Sequence, residues 1–334
     1  MDYFNNHSRL FLTALVLFLS LTILVAIIPA LTNQNNNALL PGYVLPSDDE
    51  KAGKALFISN GCVGCHTQQV RDVAMDQQWG SRPGIPADYA GDQRQDIWRN
   101  TATLMGTERT GPDLTNIGNR QPGADWNLLH LYQPRAVNKQ SIMPAYPWLF
   151  EQKEKVSLGD VAVNVPSPYL PAGGGKIIVA RKEAMQLLAY LQSLKQISLN
   201  FDTTQITRFL YNKTGQLAKN AVKDPDAMGL GIFQTNCMSC HQADGQGLKG
   251  AFPPLKGSPV VLDDNPEKMI TIIMKGYSGR PGFGVMPPVG TNANFTADQI
   301  SALINHERNS WGNKGRKIPV AEVQKILDLI KTSK

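Results

Sequence analysis

The sequence predicts a mainly α-helical chain, with one N-terminal transmembrane helix followed by two small helical domains of the same build. Three observations carry that expectation. Leu10 to Leu31 runs almost without polar interruption. Two Cys-x-x-Cys-His motifs stand far apart, each directly after a short helical pattern. Each motif is followed by Gly/Pro-rich loops and then by an amphipathic closing helix. The expected organisation is 1–47 as membrane anchor and tether, 48–196 as the first domain, 197–223 as connector and 224–334 as the second domain.

The anchor comes first. A helix rising about 1.5 Å per residue needs roughly 20 apolar residues to cross about 30 Å of hydrocarbon, and Leu10–Leu31 supplies them with only Thr13, Ser20, Thr22 and Pro29 as mild interruptions. A cleaved signal peptide is the alternative. Cleavage after Ala30 would need a small residue where Ile28 stands, and the apolar run exceeds the roughly 7–15 residues of a signal core, so a retained single-pass anchor is expected. Arg9 precedes the span and Lys51 is the first basic residue after it, which places the N-terminus in the cytoplasm and the remainder outside. Asn33 to Asn37 and Pro41-Gly42 read as a polar, helix-breaking tether.

Ser47-Asp48-Asp49-Glu50 then forms a capping box opening a helix through Ala52, Leu56 and Phe57 towards Cys62. Gly80 to Gly123 is too punctuated by Gly and Pro for extended regular structure. Met185, Leu187, Leu188, Leu191 and Leu194 recur at helical spacing over Glu183–Leu194. The order then repeats. Asp224-Pro225 precedes a short helix through Ile232 and Phe233, and Gly/Pro-rich loops run to Pro288. Thr296-Ala297-Asp298-Gln299 is a second capping box, and a last amphipathic helix covers about Val320–Ile330. Two copies make an internal duplication rather than a solenoid.

Composition bounds the chemistry. The 334 residues are 42% hydrophobic and 18% charged, enough to bury cores and too apolar for wholesale disorder. The net charge of +6 is modest and scattered, without the basic, aromatic-interleaved stripe of a nucleic-acid binder. There are four Cys, and all of them fall in Cys62-Val63-Gly64-Cys65-His66 and Cys237-Met238-Ser239-Cys240-His241, so none remains for a structural disulfide.

In Cys-x-x-Cys-His the two thiols add to the vinyl groups of one porphyrin and the adjacent His coordinates its iron. Two covalently bound c-type haems are therefore expected, held by Cys62, Cys65 and His66 and by Cys237, Cys240 and His241. Zinc ribbons are the competing use of paired Cys-x-x-Cys, but they separate their pairs by about 15–20 residues and carry no trailing His. For the sixth iron ligand, Met143 and Met286 stand out because each precedes proline in a loop before a closing helix, as Met143-Pro144 and Met286-Pro287-Pro288. Met is more commonly core filler, with Met105 and Met274 as the comparison, but His/Met ligation recurs in c-type cytochromes. With both axial positions filled the iron binds no substrate, so the chain is expected to relay electrons and to have no catalytic residue of its own. His130 and His306 are expected to be packed or solvated, with replacement of a Met as the alternative. Arg120, Trp126 and Arg135 are candidate donors to haem propionates; ordinary surface pairing accounts for them equally well.

GCVGCHTQQVR from Gly61, RTGPDL from Arg109, WNLLHLYQPR from Trp126 and SIMPAYPWL from Ser141 resemble the membrane-anchored monohaem cytochrome c subunit of cbb(3)-type cytochrome c oxidase. The likeness covers roughly residues 10–195 and is weakest at 151–180. It implies that His66 and Met143 ligate the haem and that the Pro112 carbonyl accepts the imidazole N–H of His66. The second half, about 225–334, is similar to class I cytochrome c domains fused to oxidases and quinohaemoprotein dehydrogenases, through Met286-Pro287-Pro288 and Ser310-Trp311-Gly312-Asn313. The family's subunit normally carries one haem, so the fused second domain is a departure.

The resemblance implies an electron-transfer subunit in a bacterial inner (cytoplasmic) membrane, its soluble domains on the periplasmic side. Its implied partners are a haem-copper oxidase catalytic subunit and an upstream cytochrome c or cytochrome bc complex. A nitric oxide reductase cytochrome subunit, an electron-accepting cytochrome of a periplasmic dehydrogenase and a haem-based gas sensor are the alternatives.

Overall fold

The computed structural model describes residues 4–36, 44–76, 78–90, 103–171, 175–197, 224–279 and 283–332. The chain divides into two compact units, one of Met1–Pro46 with Ile85–Met105 and one of Ser47–Gly84 with Gly106–Lys334.

In the first unit, α1 (His7–Leu21) passes through a π-helical turn at Thr22–Ile27 into α2 (Ile28–Asn36). His7–Asn33 is long and apolar enough to cross a membrane, with a mean hydropathy of 2.9 and none of its apolar window buried. Asn6 caps the start, its side chain accepting from the Arg9 N–H. Two of the polar interruptions are satisfied inside the helix, Thr13 Oγ1 donating to the Arg9 carbonyl and Ser20 Oγ to that of Leu17. The π turn has a cause in Pro29. A proline ring crowds the carbonyl four residues back, and widening the preceding turn, with the Ile28 N–H bonded to the Ile23 carbonyl, accommodates it without ending the helix. The expected tether is corrected here. The helix continues through Asn33–Asn36, because one polar run without Gly or Pro does not stop a helix already propagating. Pro41-Gly42 lies outside the described residues. This unit also contains α4 (Pro86–Ala90).

In the second unit, α3 (Asp48–Ser59) opens with the expected capping box: Ser47 Oγ accepts from the Glu50 N–H and the Glu50 carboxylate from that of Ser47. It leads through a 3-10 turn at Cys62–Gly64 into the first Cys motif. Beyond it lie the short helices α5 (Ile117–Arg120), α6 (Ala124–Tyr132) and α7 (Pro134–Val137). Then comes a feature the mainly helical reading did not include, a three-stranded antiparallel sheet of β1 (Phe150–Lys153), β2 (Val161–Val163) and β3 (Ile177–Ala180) in the order β1-β3-β2. Phe150 and Val161 both pair with Ala180. Strands of three or four residues are too short for a period-2 pattern to register, and only the β-branched Ile177-Ile178-Val179 hints at the buried central strand.

The closing helix α8 (Lys182–Ser193) crosses α3 at Gly53, where an added Cβ would lie 2.0 Å from the Gln186 carbonyl oxygen. The second half repeats the arrangement. Asp224 caps α9 (Pro225–Asn236), which runs into the second motif on α10 (Met238–His241). After α11 (Pro259–Leu262), α12 (Glu267–Lys275) and α13 (Val289–Asn292), α14 (Ala297–Asn309) opens with the Thr296–Gln299 capping box. It crosses α9 at Gly229, where a Cβ would meet the Ala302 carbonyl oxygen at 2.2 Å. The last helix, α15 (Val320–Thr332), adds Val323, Ile326 and Leu327 to a core built on Phe233, Ile270, Ile300, Leu303 and Ile304. Residues 198–223 of the expected connector lie outside the described residues.

Candidate functional site

The first Cys motif opens onto a cavity of about 1800 Å³, well above the roughly 300–1,000 Å³ of a drug-sized ligand site. Cys62, Cys65, His66, Pro112, Arg120, Trp126 and Met143 all line it. The His66 Nδ1–H donates to the Pro112 carbonyl oxygen at 2.8 Å. That bond selects the tautomer, turning the Nε2 lone pair into the ligand position. Burial holds the His66 pKa below the usual imidazole value, against the opposing pull of the Pro112 bond and Asp113, so the ring is neutral at pH 7.

The loop presenting Pro112 is stitched to the motif by a buried carboxylate that the sequence did not single out. Asp113 accepts from Thr67 Oγ1 at 2.6 Å and from the backbone N–H groups of Gln69 and Thr115 at 2.8 Å. The Gly111 N–H bonds the Cys65 carbonyl and that of Leu114 the Thr67 carbonyl, both at 2.8 Å. Arg109 donates to Thr67 Oγ1, to the Gln69 carbonyl and to the fully buried Asp76, which also takes a forked pair from Arg71. Burial alone would raise the Asp76 pKa, but the bonds from Arg71 and Arg109 overturn that and leave it lowered. Gly111 is required by space: an added Cβ would sit 2.3 Å from His66 Cε1.

The propionate candidates separate. Arg120 Nη2 donates to the Asp113 carbonyl at 2.6 Å, while its Nε is buried without a hydrogen-bond partner; burial lowers its pKa to about 10. The Trp126 indole N–H donates to the Ser239 carbonyl, 3.3 Å away in the second half, so it already has a protein partner. Arg135 is not among the cavity-lining residues; its Nη1 lies 3.4 Å from the Met143 carbonyl. His130 stacks on Trp126, 4.6 Å between centroids and 9° between planes, and its Nδ1 is buried without a partner. Burial, and then the neighbouring His66, bring its pKa down to about 4.

The second motif has its own version of the proximal contact. The His241 Nδ1–H donates to the Pro253 carbonyl at 2.9 Å, and burial keeps the ring neutral. Pro253 was not singled out in the sequence, although Pro253-Pro254-Leu255 stands at the corresponding place to Pro112-Asp113-Leu114. Cys237 belongs to the hydrophobic core of this half, and Met286 packs against that core. The Met286 backbone is pinned by a two-bond bridge to Tyr277, both bonds 2.9 Å. Asn313 braces the loop beside the motif, accepting from the Gly257 N–H and donating to the Glu307 carbonyl. His306 is packed against Phe233 and Trp311 as an ordinary side chain, and Met274 is core filler.

These residues fit haem c and not zinc. The four thiols are unpaired, as thioether formation requires, and the two pairs stand far beyond the about 15–20 residues that separate the Cys pairs of a zinc ribbon. Among the described residues no three His, Cys, Asp or Glu converge to hold a metal ion. Each motif presents an oriented, neutral imidazole. In the first half the cavity wall adds a thioether and two orphaned buried nitrogens, Arg120 Nε and His130 Nδ1, of the kind a propionate satisfies.

Comparison with known proteins agrees with that chemistry. The family described as "Cytochrome C oxidase, mono-heme subunit/FixO" matches residues 2–170, and "Cytochrome C oxidase, cbb3-type, subunit III" matches 225–306. Cytochrome c-552 of Thermus thermophilus is 34% identical over 111 residues, 30% of this chain and 84% of that protein. The cytochrome c subunit of the quinone alcohol dehydrogenase of Gluconacetobacter polyoxogenes is 34% identical over 111 residues, of whose length the chain spans only 22%. The cbb3-type cytochrome c oxidase subunit CcoP of Rubrivivax gelatinosus is 37% identical over 83 residues, 24% of this chain and 25% of that protein. These families bind haem c covalently and transfer electrons. With residues 2–170, half of its length, matched, the chain belongs to the mono-haem subunit/FixO family of cytochrome c oxidase.

Proposed function

We propose that this protein is a membrane-anchored dihaem cytochrome that passes electrons to the haem-copper catalytic subunit of a cbb3-type oxidase. The observation carrying this reading is the coincidence of the family match over residues 2–170 with one cavity lined by Cys62, Cys65, His66, Pro112 and Met143. The proposed organisation is an anchor and tether over 1–47, cytochrome domains over 48–196 and 224–334, and a connector over 197–223. Arg9 just before the span, with no basic residue after it until Lys51, supports a periplasmic location for both domains.

When bound, haem c supplies one-electron exchange at its iron. The chain's part is to hold and tune. Cys62 and Cys65, and Cys237 and Cys240, are the proposed tethers, and His66 with Met143, and His241 with Met286, would supply the imidazole and thioether that hold each iron. Pro112 and Pro253 lock each imidazole, and a thioether ligand would favour the reduced state and a high potential. Arg120 and His130 are the proposed polar contacts of the first haem's carboxylates, with the Trp126 ring as wall; Arg135, off the cavity, is not one of them. Upstream, a cytochrome c or a cytochrome bc complex is the proposed donor.

The relatives from quinone alcohol dehydrogenases support a second reading, an electron acceptor for a periplasmic dehydrogenase. Purifying the detergent-solubilised complex decides between them. Copper with b-type haem is the expected result. Non-haem iron would point instead to a nitric oxide reductase, and a quinone-cofactor enzyme to the dehydrogenase. Two covalent haems per chain are expected, falling to one when Cys237 and Cys240 are both replaced by Ser.

A further inference from the structure

The two halves of the second unit meet along a surface made almost wholly of candidate haem-site segments. From the first half come residues 119–137, which include the cavity-lining Arg120, Gln121, Trp126 and His130. From the second come two stretches, the Cys motif at 239–242 and the loop around Met286 at 284–292. Gln121 Nε2 donates to Ser239 Oγ at 3.0 Å and lies 3.8 Å from the Cys240 sulfur. The Trp126 indole N–H donates to the Ser239 carbonyl. At the margins, Gln242 Nε2 bonds the Val137 carbonyl at 3.0 Å, Asn292 Nδ2 the Asn119 carbonyl at 2.9 Å, and the Val285 N–H the Asp125 carboxylate at 3.2 Å.

We infer that this surface is a built docking interface for electron exchange within the chain, with Gln121 and Trp126 as the residues that bridge the two haem sites. The inference rests on the two-haem reading above. Gln121 lines the first cavity and lies 3.8 Å from the sulfur that would tether the second haem, and Met238, Ser239 and Gln242 of the second half line that same cavity. It is buried and held in place, its carbonyl accepting from Asn127 Nδ2 at 2.8 Å. Trp126 carries the same junction inward through its parallel stack on His130, which forms part of the cavity wall. Surface contacts selected only to pack two domains have no reason to converge on a Cys motif and a Met loop from one side and a cavity wall from the other. The step itself is one electron passing from a ferrous to a ferric haem iron. No bond is made or broken and no proton moves; a one-electron donor protein of the cytochrome c class supplies the electron.

The test uses the full-length, haem-loaded protein in detergent, as wild type and as Gln121→Leu, Ser239→Ala and Asn292→Leu. Haem stoichiometry and both midpoint potentials are measured first. Backbone hydrogen exchange at 119–126 and 239–242 then reports docking independently of any activity. Loss of one buried hydrogen bond is expected to lower protection there by about tenfold, equivalent to about 1.4 kcal/mol. Interhaem transfer after injection of one electron by a light flash is expected to slow in Gln121→Leu and Ser239→Ala, and to acquire a dependence on solvent viscosity absent from the wild type. Unchanged protection in all three variants overturns the docking interface. Reduced protection with unchanged transfer overturns the bridging role. A chain carrying one covalent haem overturns the two-haem reading and the route with it, and the haem count alone identifies that case.

Discussion

Replacing Gly111 by Ala tests whether the proximal side of the first site is built by close approach of a distant loop. The new Cβ would lie 2.3, 2.7 and 2.9 Å from His66 Cε1, Nδ1 and Nε2. Comfortable carbon contacts are about 3.5–4.0 Å, so ring or loop must yield by more than about 1 Å. The loop resists, because the Gly111 N–H is bonded to Cys65 and Asp113 is bonded to Thr67, Gln69 and Thr115. The ring therefore moves and loses its bond to Pro112. Overpacking at about 2 kcal/mol and a lost hydrogen bond at about 1 kcal/mol sum to about 3 kcal/mol. The assay is a thermal melt with covalent haem count and the optical and EPR spectra of the iron. Gly111→Ala is expected to melt lower and to show one haem with an altered axial ligand field. Gly64→Ala, inside the Cys motif itself, has no atom within 4 Å of the added Cβ and is expected to behave as wild type. A Gly111→Ala protein with wild-type spectra and melting temperature would refute the reasoning.

Two further outcomes follow from the packing. Gly53→Ala and Gly229→Ala each drive a methyl into a carbonyl oxygen of the crossing helix, at 2.0 and 2.2 Å, and each is expected to cost about 3 kcal/mol. Calorimetry should find each loss confined to its own half and the double variant close to additive, since the two crossings share no residue. Asp76→Asn removes the charge that pairs with Arg109 and is expected to cost about 2 kcal/mol at pH 7. Because the folded pKa of Asp76 is lowered, its contribution is present above the unfolded carboxyl value near about 3.9 and is lost as pH falls through the folded value. Urea melts should therefore find the gap between wild type and variant wide at pH 7 and narrowing below about pH 4; a constant gap would contradict the ion-pair account.

Much of this protein was legible in its sequence because the decisive signals are local. A Cys-x-x-Cys-His motif, a Ser47–Glu50 or Thr296–Gln299 capping box and an apolar run from Leu10 to Leu31 each act within a few residues, where the chain has little freedom to rearrange. The two crossing helices of each half were legible for the same reason. Local spacing does not say which distant segment closes on each motif. Pro112 against His66, 46 positions away, was legible only through the family resemblance, while Pro253 against His241 and Gln121 against Ser239, 118 positions apart, were not foreseen. The three-stranded sheet, the buried Asp76 and Asp113 that anchor the Pro112 loop, and the bond from the Trp126 indole to Ser239 are likewise products of tertiary packing. A buried polar group takes whichever partner the closed chain brings within reach, and that choice exists only once the long loops have closed.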